Sequence, residues 1–257
     1  MTEQPTHVTE RACFVLAKNP GIMTLDGTNT WILREPGSLQ SVVVDPGPLD
    51  EKHLQSVLAA AGTVGLILVT HHHFDHTEGV SRFAELTGAP ARATDPQFCV
   101  GAEVLTDGEQ IVVDGLMIDV LATPGHTADS TCFRLREERT LLSGDTILGR
   151  GTTVVAYPDG ELGSYLDSLA LIGELVEEGL VDRILPGHGP VIDDPGAVVN
   201  GYLDHRATRL DQVLQAVEQG AETPREVVEL VYQDVDEALW PAAELSVAAQ
   251  LDYLRDA

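Results

Sequence analysis

Residues 70–80 read THHHFDHTEGV, placing four histidines and one aspartate within six positions, directly after the apolar run LILV at 66–69. Three later stretches repeat the theme of a ligand-type residue following an apolar run. His126 lies in TPGHT after MIDVLAT, Asp145 in SGD after RTLL, and His188 in LPGHG after RIL. Imidazole and carboxylate donors without a thiolate suit divalent metals, zinc best, with manganese or iron compatible. One histidine after a strand is usually a core or surface residue; the whole set, each member at a strand end, points to metal chemistry.

If a strand ends at Thr70, alternation puts His71 and His73 on one side and turns His72 away. Asp75 and His76 then fall at a helix N-terminus, where the chain turns and presents both to a neighbouring point. Two half-sites result. A later histidine would complete a three-histidine site, another an aspartate–histidine site, and a carboxylate would bridge them.

The elements that must place these residues are short β-branched runs and amphipathic helices. Strands are expected over 14–17, 30–35 and 41–45, a helix over 49–62 ending at Gly62, and a strand buried on both faces over 65–70. A second helix is expected from Asp75 or His76 to Thr87 and Gly88. Strands follow over 110–113, 117–123, 130–136 and 139–144, then a helix over 162–179 and a short strand over 183–187. From about residue 194 the character changes. Asp194 and Pro195 form a cap and first-turn pair, helical patterns run to about 219, restart at Thr223 and Pro224, and continue through 244–255. The reading is an α+β catalytic domain over 1–193 and a C-terminal helical module over 194–257.

The 257 residues carry 15 Lys+Arg against 41 Asp+Glu, a formal net charge of −26. A field of that sign repels polyanions, and the densest basic group, Arg134, Arg136 and Arg139, is interrupted by Glu137 and Glu138. A small-molecule substrate is therefore expected over nucleic acid. Cys13, Cys99 and Cys132 are widely spaced with no CxxC pair, so neither a disulfide framework nor a thiolate zinc knuckle is expected. No apolar run approaches the roughly 20 residues that span a bilayer, and MTEQPTHVTE lacks the order of a secretory signal. The expectation is a cytoplasmic protein with no membrane association.

HHHFDH at 71–76, PGHT at 124–127, SGD at 143–145 and PGHG at 186–189 resemble the metallo-β-lactamase fold superfamily. The resemblance implies a four-layer αβ/βα sandwich with two metals in a cleft at one edge of the paired sheets. Carried over by position, His71, His73 and His126 would hold the first metal, Asp75, His76 and His188 the second, and Asp145 would bridge them. It further implies a hydrolase that uses a metal-bridged hydroxide, with Asp75 as a catalytic residue that orients the nucleophile. The best-known zinc β-lactamases carry cysteine where Asp145 stands, and diiron members usually carry glutamate in place of the second histidine, here His73. The set is similar to glyoxalase II and the phosphodiesterase branches.

NPGIMTLDGTNTWIL at 19–33, GDTILGRGTT at 144–153, YLDSLALI at 165–172 and YLDHRATRLDQVL at 202–214 resemble the β-lactamase-like protein 2 branch, which ends in a winged-helix-like module and whose best-known activity is cutting single-stranded RNA. Two features depart from it. The branch usually has Asp-His after PGHT where this chain has Asp129 and Ser130, and the helices after 223 carry only Arg225 and Arg255 as cations. The module thus reads as a packing or homodimerisation element. Asn29 in DGTNT is a candidate substrate contact, although Asn in a Gly-containing turn is usually structural. His205, Arg206 and Arg209 read as a solvated or interdomain helix face, and His7 and His53 have no suitable context. The function expected is a zinc-dependent binuclear hydrolase of a small ester, thioester or amide. The alternatives are a metal-dependent endoribonuclease on single-stranded RNA and an iron-dependent dioxygenase of the same fold.

Overall fold

The computed structural model describes residues 4–233 and 235–256. Its first sheet begins with β1 (Thr6–His7), β2 (Ala12–Leu16), β3 (Asn29–Leu33) and β4 (Gln40–Val44), each antiparallel to the next. The helix α1 (Glu51–Ala61) crosses over to β5 (Thr63–Leu68), which pairs parallel with β4. Local chemistry sets both ends of α1. The Asp50 carboxylate accepts the N–H groups of Lys52 and His53, and Gly62 closes the helix at φ 66°.

After β5 come α2 (Phe74–Thr77), α3 (Val80–Thr87) and β6 (Ala91–Arg92), the last parallel to β5. The single helix expected from residue 75 to 88 is therefore two. The break falls at Gly79, whose N–H donates to the Gly47 carbonyl at 2.9 Å. A Cβ at Gly79 would meet that same oxygen at 2.9 Å, so only glycine lets residues 47 and 48 pack here.

The second sheet holds β7 (Gln110–Val113), β8 (Leu116–Ala122), β9 (Thr131–Leu135) and β10 (Thr140–Gly144). The helix α4 (Leu162–Glu177) then leads to β11 (Arg183–Pro186). Among the described residues the spatial order is β11-β10-β9-β8-β7, with β10 and β11 parallel and the rest antiparallel. Three helices complete the chain: α5 (Pro195–Glu218), α6 (Pro224–Val231) and α7 (Trp240–Asp256). The expected caps are present, Asp194 accepting the Ala197 N–H and Thr223 forming a capping box with Glu226.

Alternation along the strands produces four layers. Trp31, Leu33, Val42, Val44 and Leu68 face Ile118, Val120, Phe133, Leu135 and Leu142 across the space between the sheets. Ile32, Val43 and Ile67 point the other way, onto Leu54 and Val57 of α1 and Phe83 of α3. Cys132, Leu141 and Ile184 point outward from the second sheet onto Tyr165, Leu169 and Ile172 of α4 and Val199 and Tyr202 of α5. The first turns of α5 thus belong to the outer layer, while Val213 and Ala216 farther along it build a separate small core with Val227, Val228 and Val247. Each strand expected from the sequence is present to within two residues; the two-residue strands β1 and β6 were not expected. Among the described residues, no helix is long and apolar enough to cross a membrane.

Candidate metal centre

Strand direction alone gathers the ligand-type residues. In the first sheet β4 and β5 are parallel, so their C-terminal ends share one edge. In the second, β8 and β10 each run antiparallel to β9, and β11 runs parallel to β10, so these three also end at a common edge. His126, Asp145 and His188 follow β8, β10 and β11, while β9 runs the opposite way and supplies no ligand. The two edges are stitched together by backbone bonds: Thr131 N–H to Thr70 O at 2.8 Å, and Asn29 N–H to Gly187 O at 2.8 Å.

The donor atoms of the residues expected for the two half-sites converge there. Donor atoms of His71, His73, His126 and Asp145 lie within 4.8 Å of one another, as do those of Asp75, His76 and His188. His73 Nδ1 is 3.0 Å from His71 Nε2 and 3.1 Å from His126 Nε2. His188 Nε2 is 3.3 Å from His76 Nε2 and 3.1 Å from Asp75 Oδ2. Asp145 stands between the groups, with Oδ1 3.5 Å from His76 Nε2 and Oδ2 3.4 Å from His188 Nε2 and 3.9 Å from His126 Nε2. Its Oδ1 is buried and has no hydrogen-bond partner among the described residues.

The far side of each ring explains why these lone pairs converge. His126 Nδ1 is 2.8 Å from the Val154 carbonyl and His188 Nδ1 is 3.0 Å from the Gly27 carbonyl. Both can only donate there, which leaves Nε2 free for a cation. His76 Nδ1 faces Asp45 Oδ2 at 2.8 Å. The Thr70 hydroxyl donates to Asp45 Oδ2 at 2.7 Å and so accepts from His71 Nδ1 at 3.0 Å. Buried imidazoles converging on a buried, unpartnered carboxylate oxygen fit a divalent metal pair.

Electrostatics divides the halves. Burial, together with the neighbouring imidazoles, pushes His71 well below the ordinary histidine value and His73 down to about 4, and burial lowers His126 as well. In the other half burial also disfavours charge, but carboxylates outweigh it. Asp75, Asp145 and Asp45 hold His76 well above the ordinary value, and Asp145 and Asp75 raise His188 to about 9. Burial opposes ionisation of Asp75 and Asp145 too, yet the facing imidazoles keep both far below the usual carboxylate range.

His72 turns out of the cluster as alternation predicts, its Nδ1 2.8 Å from Asp129 Oδ1. Strand β5 stops at Leu68 rather than Thr70, because the Thr70 N–H is taken by the Asp45 side chain at 2.8 Å instead of the sheet ladder. Asn29, expected as a candidate substrate contact, holds a structural place. It is buried, and its amide nitrogen donates to the carbonyls of Pro186 and Gly189, both at 3.0 Å. With both N–H groups used, its work is to anchor the loop carrying His188.

Asp45 is the residue that sequence reasoning missed, although its setting, SVVVDPG, repeats the strand-then-carboxylate pattern of Asp145. Thr28 was missed as well; its hydroxyl donates to Asp75 Oδ2 at 2.9 Å. Gly187 is required by close approach, since a Cβ there would stand 2.5 Å from Asp145 Oδ1 and 2.8 Å from His76 Cε1.

A cavity of about 350 Å3 adjoins the cluster, its wall including His126, Asp145, Met23 and Leu25, with Tyr232 and Leu239 from the C-terminal region. His205, Arg206 and Arg209 line it too, with Arg206 buried.

The sequence profile of the metallo-beta-lactamase superfamily matches residues 23–188, and that of the beta-lactamase associated winged helix domain matches 223–256. A beta-lactamase-like protein 2 homolog of Caenorhabditis elegans is 36% identical over 93% of this chain and 82% of its own. An atrochrysone carboxyl ACP thioesterase of Aspergillus fumigatus is 35% identical over 86% of this chain and 73% of its own. The crystal structure of a metallo-beta-lactamase family protein from Thermus thermophilus superposes with a TM-score of 0.80 at 24% identity, covering 97% of this chain and 95% of that one, a likeness of fold.

Proposed function

The chain belongs to the metallo-beta-lactamase superfamily, and on that premise we propose that it is a binuclear, zinc-dependent hydrolase of small esters or thioesters. The observation that carries the reading is the pairing of two donor groups with an adjoining cavity. In this reading His71, His73 and His126 hold one metal, Asp75, His76 and His188 the other, and Asp145 bridges them. Two such cations supply an acidified water and polarise the oxygen under attack. The Asp75 carboxylate, fixed by Thr28 at Oδ2, would also orient the attacking water. A one-metal oxidative reading leaves Asp75, His76 and His188 without a task.

A thioester is favoured over a polymer by the size of the cavity, which suits a small acyl group. The thioesterase named among the relatives supports the same chemistry. The net charge of −26 disfavours a polyanionic substrate. The deciding experiment is a panel of thioesters, lactones, β-lactams, bis-p-nitrophenyl phosphate and single-stranded RNA, with zinc- and manganese-loaded protein and a His71→Ala control. Thioester or ester turnover lost in the control is expected. RNA cleavage lost in the control, with the esters untouched, would overturn the proposal.

A further inference from the structure

The cavity beside the metal centre has a charge opposite to that of the protein as a whole. Only 15 of 257 residues are Lys or Arg, yet Arg150, Arg206 and Arg209 all line this one space with His205. Among the described residues the single acidic one in its wall is Asp145, which belongs to the candidate metal cluster. Arg150 is paired with Asp26. The other two guanidiniums have neutral partners. Arg206 donates to the Thr153 carbonyl and lies over the Tyr165 ring at 4.8 Å. Arg209 donates to Gln212 at 2.9 Å and lies over the Tyr232 ring at 4.5 Å. Neither has a carboxylate partner among the described residues.

Two of these lining residues also carry a buried polar atom with no hydrogen bond among the described residues, His205 Nδ1 and Arg206 Nε. A buried donor without a partner is costly, and a buried uncompensated charge more so. The remaining wall is apolar, including Met23, Leu148, Val154 and Leu239. We infer that this cavity is an acyl pocket selective for substrates whose apolar acyl body carries a second, distal carboxylate, received by Arg209, His205 and Arg206. Esters ending in a methyl group would leave these donors unpaired and are discriminated against for that reason. The inference rests on the ester or thioester reading and names its substrate class.

The test uses zinc-loaded protein and matched N-acetylcysteamine thioesters of octanoic and octanedioic acid. Wild type should prefer the carboxyl-ended ester in kcat/KM, and Arg209→Leu should cut that preference by about tenfold or more, with Arg209→Lys retaining part of it. Calorimetric binding of octanedioate against octanoate should show the same preference without needing turnover. Ala242→Phe, which fills the cavity from α7, should weaken binding of both acids and tests the pocket without touching Arg209. Turnover with no preference for the carboxyl-ended acyl group overturns the pocket and leaves the hydrolase standing. Preferential binding of octanedioate with no turnover of any thioester upholds the pocket and sinks the thioester reading. If Arg209→Leu instead penalises coenzyme A thioesters relative to N-acetylcysteamine thioesters of one acyl group, the anion belongs to the thiol carrier and the assignment to the acyl group fails.

Discussion

Replacing Asp45 by asparagine should loosen both metals at once, although Asp45 belongs to neither donor group. Its carboxylate accepts three buried hydrogen bonds, from the Thr70 N–H at 2.8 Å, the Thr70 hydroxyl at 2.7 Å and His76 Nδ1 at 2.8 Å. An amide offers one acceptor and a pair of donors. If its oxygen keeps the Thr70 N–H, its NH2 faces the Thr70 hydroxyl and His76 Nδ1. His76 must then give up its Nδ1 proton and carry it on Nε2, the atom that faces the metal. The Thr70 hydroxyl, no longer donating to Asp45, turns to His71 Nδ1 and forces the same tautomer there. Losing such an outer partner typically costs 10- to 100-fold in metal affinity, about 1.4 to 2.7 kcal/mol for each site. Stability without metal should fall by roughly 1.5–3 kcal/mol for the charge-assisted bond lost. Asparagine is the right probe because Asp45 sits at φ 52°, which Asn tolerates and alanine does not. Zinc competition against a chelator reads the affinities, and urea unfolding of apoprotein reads the stability. An Asn variant holding both zincs within threefold of wild type refutes the tautomer argument. Loss confined to the second site refutes the relay through Thr70.

Three further outcomes follow from the same geometry. Gly187→Ala should abolish zinc at the Asp75, His76 and His188 group while leaving the three-histidine group able to bind, because the added methyl enters beside Asp145 Oδ1 and His76 Cε1; X-ray absorption and metal content decide it, and two tightly held zincs would contradict it. His72→Ala should keep both metals and most activity, with stability changed by less than about 1 kcal/mol, since its bond to Asp129 is partly exposed. Zinc uptake should release protons unequally. At pH 7 the raised values of His76 and His188 favour the charged form of both, so filling their site displaces up to two protons and tightens as pH rises. His71 and His73, whose values are lowered, are already neutral and should release almost none. Calorimetry in two buffers of different ionisation enthalpy measures this, and equal release from both sites would refute it.

How much of this was legible beforehand depends on how local each determinant is. That His71 and His73 share a side and His72 does not follows from backbone alternation over three residues. The caps of α1, α5 and α6 are set within four residues of sequence. The apolar runs ahead of His126, Asp145 and His188 mark strand ends without knowledge of any partner strand. Asn29 could not be assigned in that way, because its partners Pro186 and Gly189 lie 157 and 160 residues along the chain. Asp45 looked like a strand terminus until Thr70 and His76 came within reach of its oxygens. The break between α2 and α3 required Gly47 to pack against Gly79. The cationic cavity required α5 to bring Arg206 onto Thr153, 53 residues away. Sequence by itself determined which side chains offer metal-type donors and the strand ends they leave from, since those are properties of short segments. Tertiary structure alone decided which groups hold those donors in their tautomers and what shape of substrate they face, since both depend on where distant segments come to rest.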